Sequence, residues 1–273
     1  MSGGAGKRRE PEDVLRGSHV VVTGASRGIG EELSRGFAHR GARVSLVARS
    51  ADALERLAKE IGGTAVPADL TDPHALEQLV GRLHDAGGPI DVLVNNAGLA
   101  VVDRIVDQDA EAIRSSFALN VLAPIELIRQ ILPEMLQRKG GRIVNISSLA
   151  GVAAYPTLST YGATKAALVH FSASLQRELR RSAVRVTIVQ LGEVAGTEMM
   201  ETARTSPTIA AVSRRLARVR AMPELTAADV ALAVVNAAAA GRRHCVVPRR
   251  VAGMHHVREL PSRLNDFLLI GID

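Results

Sequence analysis

The sequence predicts an α/β fold, a single domain built on a doubly wound parallel sheet of about seven strands with helices on both faces. Three observations carry that expectation. Apolar runs of strand length alternate along the chain with segments of helical spacing, the pattern that right-handed crossovers between parallel strands require. A glycine-rich turn, Thr23-Gly24-Ala25-Ser26-Arg27-Gly28-Ile29-Gly30, joins the first of these strands to the first helix. Of 273 residues, 47% are hydrophobic but only 2% aromatic, so the core must be aliphatic, which suits strands buried on both faces.

Taken in order, strands are expected at residues 19–23, 43–47, 64–67, 91–94, 141–146, 184–189 and 244–247. Helical spacing marks 31–39, 51–61, 75–85 and 111–138 between them. Pro124 and Pro133 should kink the last of these, because proline lacks the amide hydrogen a helical turn needs. Gly87-Gly88-Pro89 and Gly140-Gly141 read as tight turns before strands. The domain is expected over 18–248, after a flexible tail at 1–17 and before a basic, amphipathic extension at 249–273. The alternation lapses over 198–223, where Pro207, several Ser and Thr residues and the basic run Arg214, Arg215, Arg218 and Arg220 stand without a strand.

Composition narrows the function classes. The lone Cys245 cannot form an intrachain disulfide, and its apolar neighbours Val246 and Val247 give it a structural place. Lys7, Arg8 and Arg9 precede no apolar run, and no stretch approaches the roughly 20 apolar residues of a membrane span, so a cytoplasmic protein is expected. Poverty in aromatic residues argues against a base-stacking nucleic-acid surface. Net charge is +6, with Arg242, Arg243, Arg249, Arg250, Arg258 and Arg263 concentrated near the end of the chain. That surface reads as solvated or subunit-facing, with an acyl carrier, a coenzyme A tail or an anionic membrane as the functional alternatives. The eight histidines show no metal spacing, and Ser148 has no Gly-x-Ser-x-Gly context, so neither a metal site nor a hydrolase is expected.

The glycine turn would bring helix N-terminal amides against a pyrophosphate, where the amide hydrogens and the helix dipole both favour an anion. An acid at the end of the second strand would bind a ribose 2′-hydroxyl and repel a 2′-phosphate. Here the chain has Ala48-Arg49-Ser50 instead, with Arg27 in the glycine turn, and guanidinium forks match phosphate oxygens. NADP(H) is therefore expected. Further along, Tyr161-Gly162-Ala163-Thr164-Lys165 places a tyrosine and a lysine on one helical face, thirteen residues after Ser148. A phenol with an ordinary pKa of about 10 is a poor base near neutrality, and a cation one turn away would stabilise its phenolate. Tyr161 is thus the candidate acid or base of redox chemistry on a cofactor held by the glycine turn.

In this combination and order the chain resembles the short-chain dehydrogenase/reductase family from about Ser18 to about Pro248. That resemblance implies a Rossmann-type domain using NAD(H) or NADP(H), usually as a homodimer or homotetramer. It implies that Gly24, Ser26, Arg27, Gly28, Ile29 and Gly30 hold the phosphates and that Ala48 stands where an NAD-selective aspartate would fall. Asp69-Leu70 resembles the adenine-contacting pair, and Asn96, Ala97 and Gly98, after the structural Asn95, the motif lining the cofactor cleft. Lys165 would also bind the nicotinamide ribose, Ser148 would hold the substrate oxygen, and Asn120 would complete a water-linked proton path. Ser147, the rival to Ser148, reads as a structural hydrogen-bonder, and Tyr155 as a substrate-lining residue.

The chain departs from the family after its sixth strand. A Pro-Gly pair is replaced by Leu191-Gly192, and Thr197 lies five rather than four residues beyond the glycine, leaving Gly192 and Val194 the firmer cofactor contacts and Thr197 a questionable one. Residues 198–223 take the position of the family's substrate lid. The small, apolar loop 149–156 and the Met199-Met200 pair suggest a small or medium apolar carbonyl or alcohol, of lipid, steroid, terpenoid or polyketide type. A non-catalytic NADP(H)-binding regulator and a carrier- or CoA-bound ketoacyl reductase are the alternatives. Helically spaced Leu260, Leu264, Phe267 and Leu268 suggest docking on a subunit, or weak peripheral membrane contact.

Overall fold

A computed structural model describes residues 14–218 and 225–251, with side chains described to residue 215 in the first segment. Seven parallel strands form one sheet in the order β3-β2-β1-β4-β5-β6-β7. They are β1 (His19–Thr23), β2 (Arg43–Val47), β3 (Thr64–Ala65), β4 (Val92–Asn95), β5 (Gly141–Ser148), β6 (Val184–Leu191) and β7 (His244–Val247). The order reverses between β1 and β4, the switch point outside whose strand ends open α/β sheets bind ligands.

Period-two alternation divides the core. Val20, Val22, Leu46, Val92 and Val94 face α1 (Gly28–His39), α2 (Ala51–Ile61) and α9 (Ala227–Ala239) through Leu33, Phe37, Leu54, Val230 and Val234. Val21, Val47, Leu93 and Ile143 face α3 (Pro73–Gly87), α5 (Ala123–Gln137) and α6 (Ser159–Glu178) through Leu79, Leu83, Leu127, Ile131 and Leu175. Each one-residue step along β1 therefore crosses from one core to the other, as both-face burial demands.

Several boundaries differ from those expected. β3 pairs over two residues only, whereas β5 and β6 run on to Ser148 and Leu191, side by side. The single helix expected at 111–138 is three pieces, α4 (Ala110–Phe117), a π-helical turn at Ala118–Leu122, and α5. Pro124 has no N–H to offer the Asn120 carbonyl, and the Ala123 amide reaches back to the Ala118 carbonyl instead. Pro133, by contrast, lies inside α5 without ending it.

Leu15, within the span expected as a tail, is fully buried in the core beside β1 and α1, while residues 1–13 lie outside the described residues. At the other end, Val251 packs with Leu149 and Val246. Within 198–223, α7 (Glu198–Arg204) and α8 (Pro207–Arg218) form, so the segment is helical as far as it is described. Arg220, the side chain of Arg218, and the C-terminal Arg258, Arg263, Leu260, Leu264, Phe267 and Leu268 lie outside the described residues. Among the described residues no helix is long and apolar enough to cross a membrane, and no three His, Cys, Asp or Glu side chains are grouped to hold a metal.

Candidate active site

A cleft of about 1010 Å³ opens along the C-terminal ends of the strands. At one end stands the glycine turn. Gly24 has φ +67°, and a Cβ there would fall 2.8 Å from Ala97 Cα; at Gly30 it would fall 2.0 Å from the Gly24 carbonyl oxygen. These positions let the turn close on itself and on the segment after β4. Asn96 fastens the junction, its Nδ2 donating to the Thr23 carbonyl at 2.9 Å, while the Asn96 and Ala97 amides donate to Thr23 Oγ1. Arg27 is the N-cap of α1 but its side chain makes no capping hydrogen bond. The first amides of α1 are therefore left for an anion, and Gly24, Ser26, Arg27, Gly28 and Ile29 line the cleft there. This cradle fits a dinucleotide pyrophosphate. Gly30 lies beneath it rather than on its surface.

Ala48, Arg49, Ser50, Asp69 and Leu70 line the cleft beyond the ends of β2 and β3. Arg49 is exposed, with no acid at the tip of β2 to claim it. Burial raises the Asp69 carboxyl, but the Thr71 amide and hydroxyl and the Arg49 charge outweigh it and hold the group below the usual range.

At the opposite end, β5 delivers Ser148 and α6 delivers Tyr161 and Lys165. The Ser148 hydroxyl bears on the Tyr161 phenol, and Ser148 Oγ donates to the Leu191 carbonyl at 3.4 Å and accepts from the Ala150 amide at 3.1 Å. Tyr161 and Lys165 are buried. Burial pushes the phenol up to about 12, with the Ser148 bond acting against it, and pushes the lysine down to about 8. Desolvation dominates the phenol's shift, and the Lys165 charge is not among its causes. Lys165 Nζ donates to the Ile146 carbonyl at 3.0 Å. Ser147 Oγ donates to the Lys165 carbonyl at 3.0 Å, a bond that ties the strand to the helix.

The residues matching a family model described as short chain dehydrogenase run from 18 to 208. The chain belongs to that family. Among its relatives, the "Ketoacyl reductase HetN" of Nostoc is 38% identical over 205 residues, 73% of this chain and 71% of that protein. The "Oxidoreductase UcpA" of Salmonella typhimurium is 39% identical over 186 residues, 66% of this chain and 70% of that one. Of solved structures, the closed form of a serine dehydrogenase complexed with NADP+ superposes with a TM-score of 0.69 at 33% identity, covering 79% of this chain and 87% of the other.

The remaining expected positions fall as follows in this short-chain dehydrogenase. Asn120, on the π-helical turn, is fully buried and does not line the cleft. Its Nδ2 donates to the Leu99 carbonyl and to Thr164 Oγ1, and its Oδ1 accepts from the Leu99 amide. Asn96, Ala97, Gly98, Tyr155, Gly192, Val194 and Thr197 line the cleft. Thr197 is the N-cap of α7, Oγ1 accepting from the Met200 amide and donating to the Val194 carbonyl. Gly196, at φ +68°, absorbs the extra residue of this turn.

Sequence reasoning missed several participants. Glu111, Glu193, Glu198, Glu201, Ala203, Ile209 and Val212 line the cleft, beside the Met199-Met200 pair already expected there. Thr164, the hydroxyl partner of Asn120, sat unremarked inside the Tyr161–Lys165 motif. Gly151 and Gly162 let the loop after β5 press on α6, since a Cβ at either would meet backbone at 2.8 Å. For the glycines, tight packing beside the Tyr161 motif was the available signal.

Proposed function

We propose that this short-chain dehydrogenase is an NADP(H)-dependent oxidoreductase that interconverts a ketone and a secondary alcohol on a small or medium apolar substrate. The observation that carries the reading is the trio of Ser148, Tyr161 and Lys165, the last two buried one helical turn apart on α6, standing in the same cleft as the uncapped glycine turn. A bound reduced nicotinamide supplies the hydride for the carbonyl carbon. Ser148 and Tyr161 together hold the carbonyl oxygen, and Tyr161 gives its phenolic proton to the developing alkoxide. The raised phenol suits that role, because the proton is in place at neutral pH. Lys165, 5.7 Å from the ring centroid, supports the phenolate left behind. Asn120 fixes the π-helical turn against Leu99 and α6, and so sets the wall behind the pair.

Preference for NADP(H) is supported by Arg49 at the end of β2 and by the lack of an acid there. An apolar substrate is supported by Met199, Met200, Ala203, Ile209 and Val212, which α7 and α8 present to the cleft as a lid would. Exposed Phe117, Leu122 and Leu136, along the helices that carry Asn120, support a homodimer or homotetramer. A carrier-bound ketoacyl substrate is the second reading, favoured by the name of the Nostoc relative and by Arg242, Arg243, Arg249 and Arg250 around β7.

The test is a titration with NADPH and NADH, followed by loss of reduced-nicotinamide absorbance across a panel of apolar ketones. Selective NADPH binding with ketone-dependent oxidation is expected. Tight binding with no turnover on any ketone would favour a cofactor-binding regulator. Turnover confined to carrier-bound ketones, and falling steeply with salt, would favour the second reading.

A further inference from the structure

An ion pair joins the two sides of the cleft. Arg27, in the glycine turn, is paired with Glu198, the first residue of α7, and both side chains line the cleft. The approach is close along this line, since a Cβ at Gly28 would stand 3.7 Å from Thr197 Cγ2. Glu198 is also well placed for its own helix, as an acid in the first turn of α7. At the far end of α7, Arg204 lies 3.8 Å from Glu193, in the turn after β6. The helix that bears Met199 and Met200 is thus fastened at both ends to segments of the cofactor site.

We propose that Glu198 is a specificity-determining residue that competes with the cofactor's 2′-phosphate for Arg27, so that a phosphorylated cofactor unlatches the start of α7 and an unphosphorylated one does not. This rests on the reading that Arg27 meets the 2′-phosphate. A guanidinium shared between a carboxylate and a phosphate must leave the first to serve the second in full, and the cost of leaving falls on NADPH alone. The pair is exposed, 69% at Arg27 and 57% at Glu198, so the competition is modest and screened by salt. Coupling runs both ways by linkage, and whatever loosens α7 also tightens the phosphorylated cofactor.

The experiment measures dissociation constants of NADPH, NADH, adenosine 2′,5′-bisphosphate and 5′-AMP for the full chain and for Glu198→Gln, Arg27→Ala and the double substitution. Glu198→Gln is expected to tighten NADPH and the bisphosphate by about two- to fivefold, the range an exposed ion pair allows. NADH and 5′-AMP should be unchanged. Arg27→Ala should weaken the phosphorylated ligands selectively, and adding Glu198→Gln to it should give no further gain. An equal effect on NADH, no effect, or a gain that persists without Arg27 overturns the latch. If Arg27→Ala fails to separate NADPH from NADH, the assignment of Arg27 to the 2′-phosphate falls, and the latch with it. If Arg27→Ala separates them and Glu198→Gln does nothing, the latch alone falls.

Discussion

Lys165 Nζ lies 5.7 Å from the centroid of the Tyr161 ring, one turn along α6, and reaches on to donate to the Ile146 carbonyl on β5. Burial acts on the two groups in opposite senses, raising the phenol to about 12 and lowering the ammonium to about 8. Both shifts favour the neutral forms. At neutral pH the phenol keeps its proton, while the lysine is still charged but near its titration.

That lysine gives a stability signature. Below about pH 8 it is protonated in the folded and unfolded chain alike. Between about 8 and its ordinary 10.5, the unfolded chain holds a proton that the folded chain has lost. Stability from this group therefore rises with pH through that window, by roughly 3 kcal/mol between its limits. Thermal melts of the native chain and Lys165→Met should show the native chain gaining on the variant from pH 8 to 10. Parallel curves would refute the buried, shifted lysine.

The glycine turn separates two kinds of constraint. Gly30→Ala puts a methyl 2.0 Å from the Gly24 carbonyl oxygen, so the turn must open. Gly28→Ala meets nothing nearer than 3.7 Å but is strained by φ +56°, at a cost of about 1–2 kcal/mol. Calorimetric titration should find cofactor binding lost in Gly30→Ala and only weakened in Gly28→Ala.

Asn120 makes four hydrogen bonds, with the Leu99 amide, the Leu99 carbonyl, Ser116 Oγ and Thr164 Oγ1. Asn120→Ala leaves Leu99 without its partners, a loss of about 1–3 kcal/mol. Chemical denaturation should register that loss. Turnover should also fall, because the π-helical turn no longer fixes the wall behind Tyr161.

Arg49 faces the cleft beyond β2. Arg49→Ala should weaken NADPH by tenfold or so and NADH hardly at all, since a charge-assisted bond to phosphate is worth about 1.5–3 kcal/mol. Competitive titration of the two cofactors checks it, and an equal effect would refute the assignment.

Much of this was legible in the sequence because it is local. Strand and helix periods placed all seven strands, and the short spacings within Gly24–Gly30 and Tyr161–Lys165 put those groups on one turn and one helical face. What failed to show involves partners distant in the chain or a backbone accommodation. Arg27 and Glu198 meet only once the fold brings α1 and α7 together, so the sequence reads Arg27 toward a phosphate and gives no sign of Glu198 as its partner. Pro124 was visible as a disruption, but its outcome, a π-helical turn carrying Asn120, depends on which carbonyl the Ala123 amide finds. The burial that raises Tyr161 comes from packing across β5 and α6, which no motif encodes.

Substitution of Tyr161 by Phe tests the central claim most directly, because it deletes one hydroxyl from a buried ring and leaves Lys165 and the glycine turn in place. Steady-state reduction of an apolar ketone should fall by about a hundredfold or more, while the NADPH dissociation constant stays within about twofold of the native value. Turnover retained at the native rate, with the cofactor still bound, would contradict the assignment of Tyr161 as the proton donor.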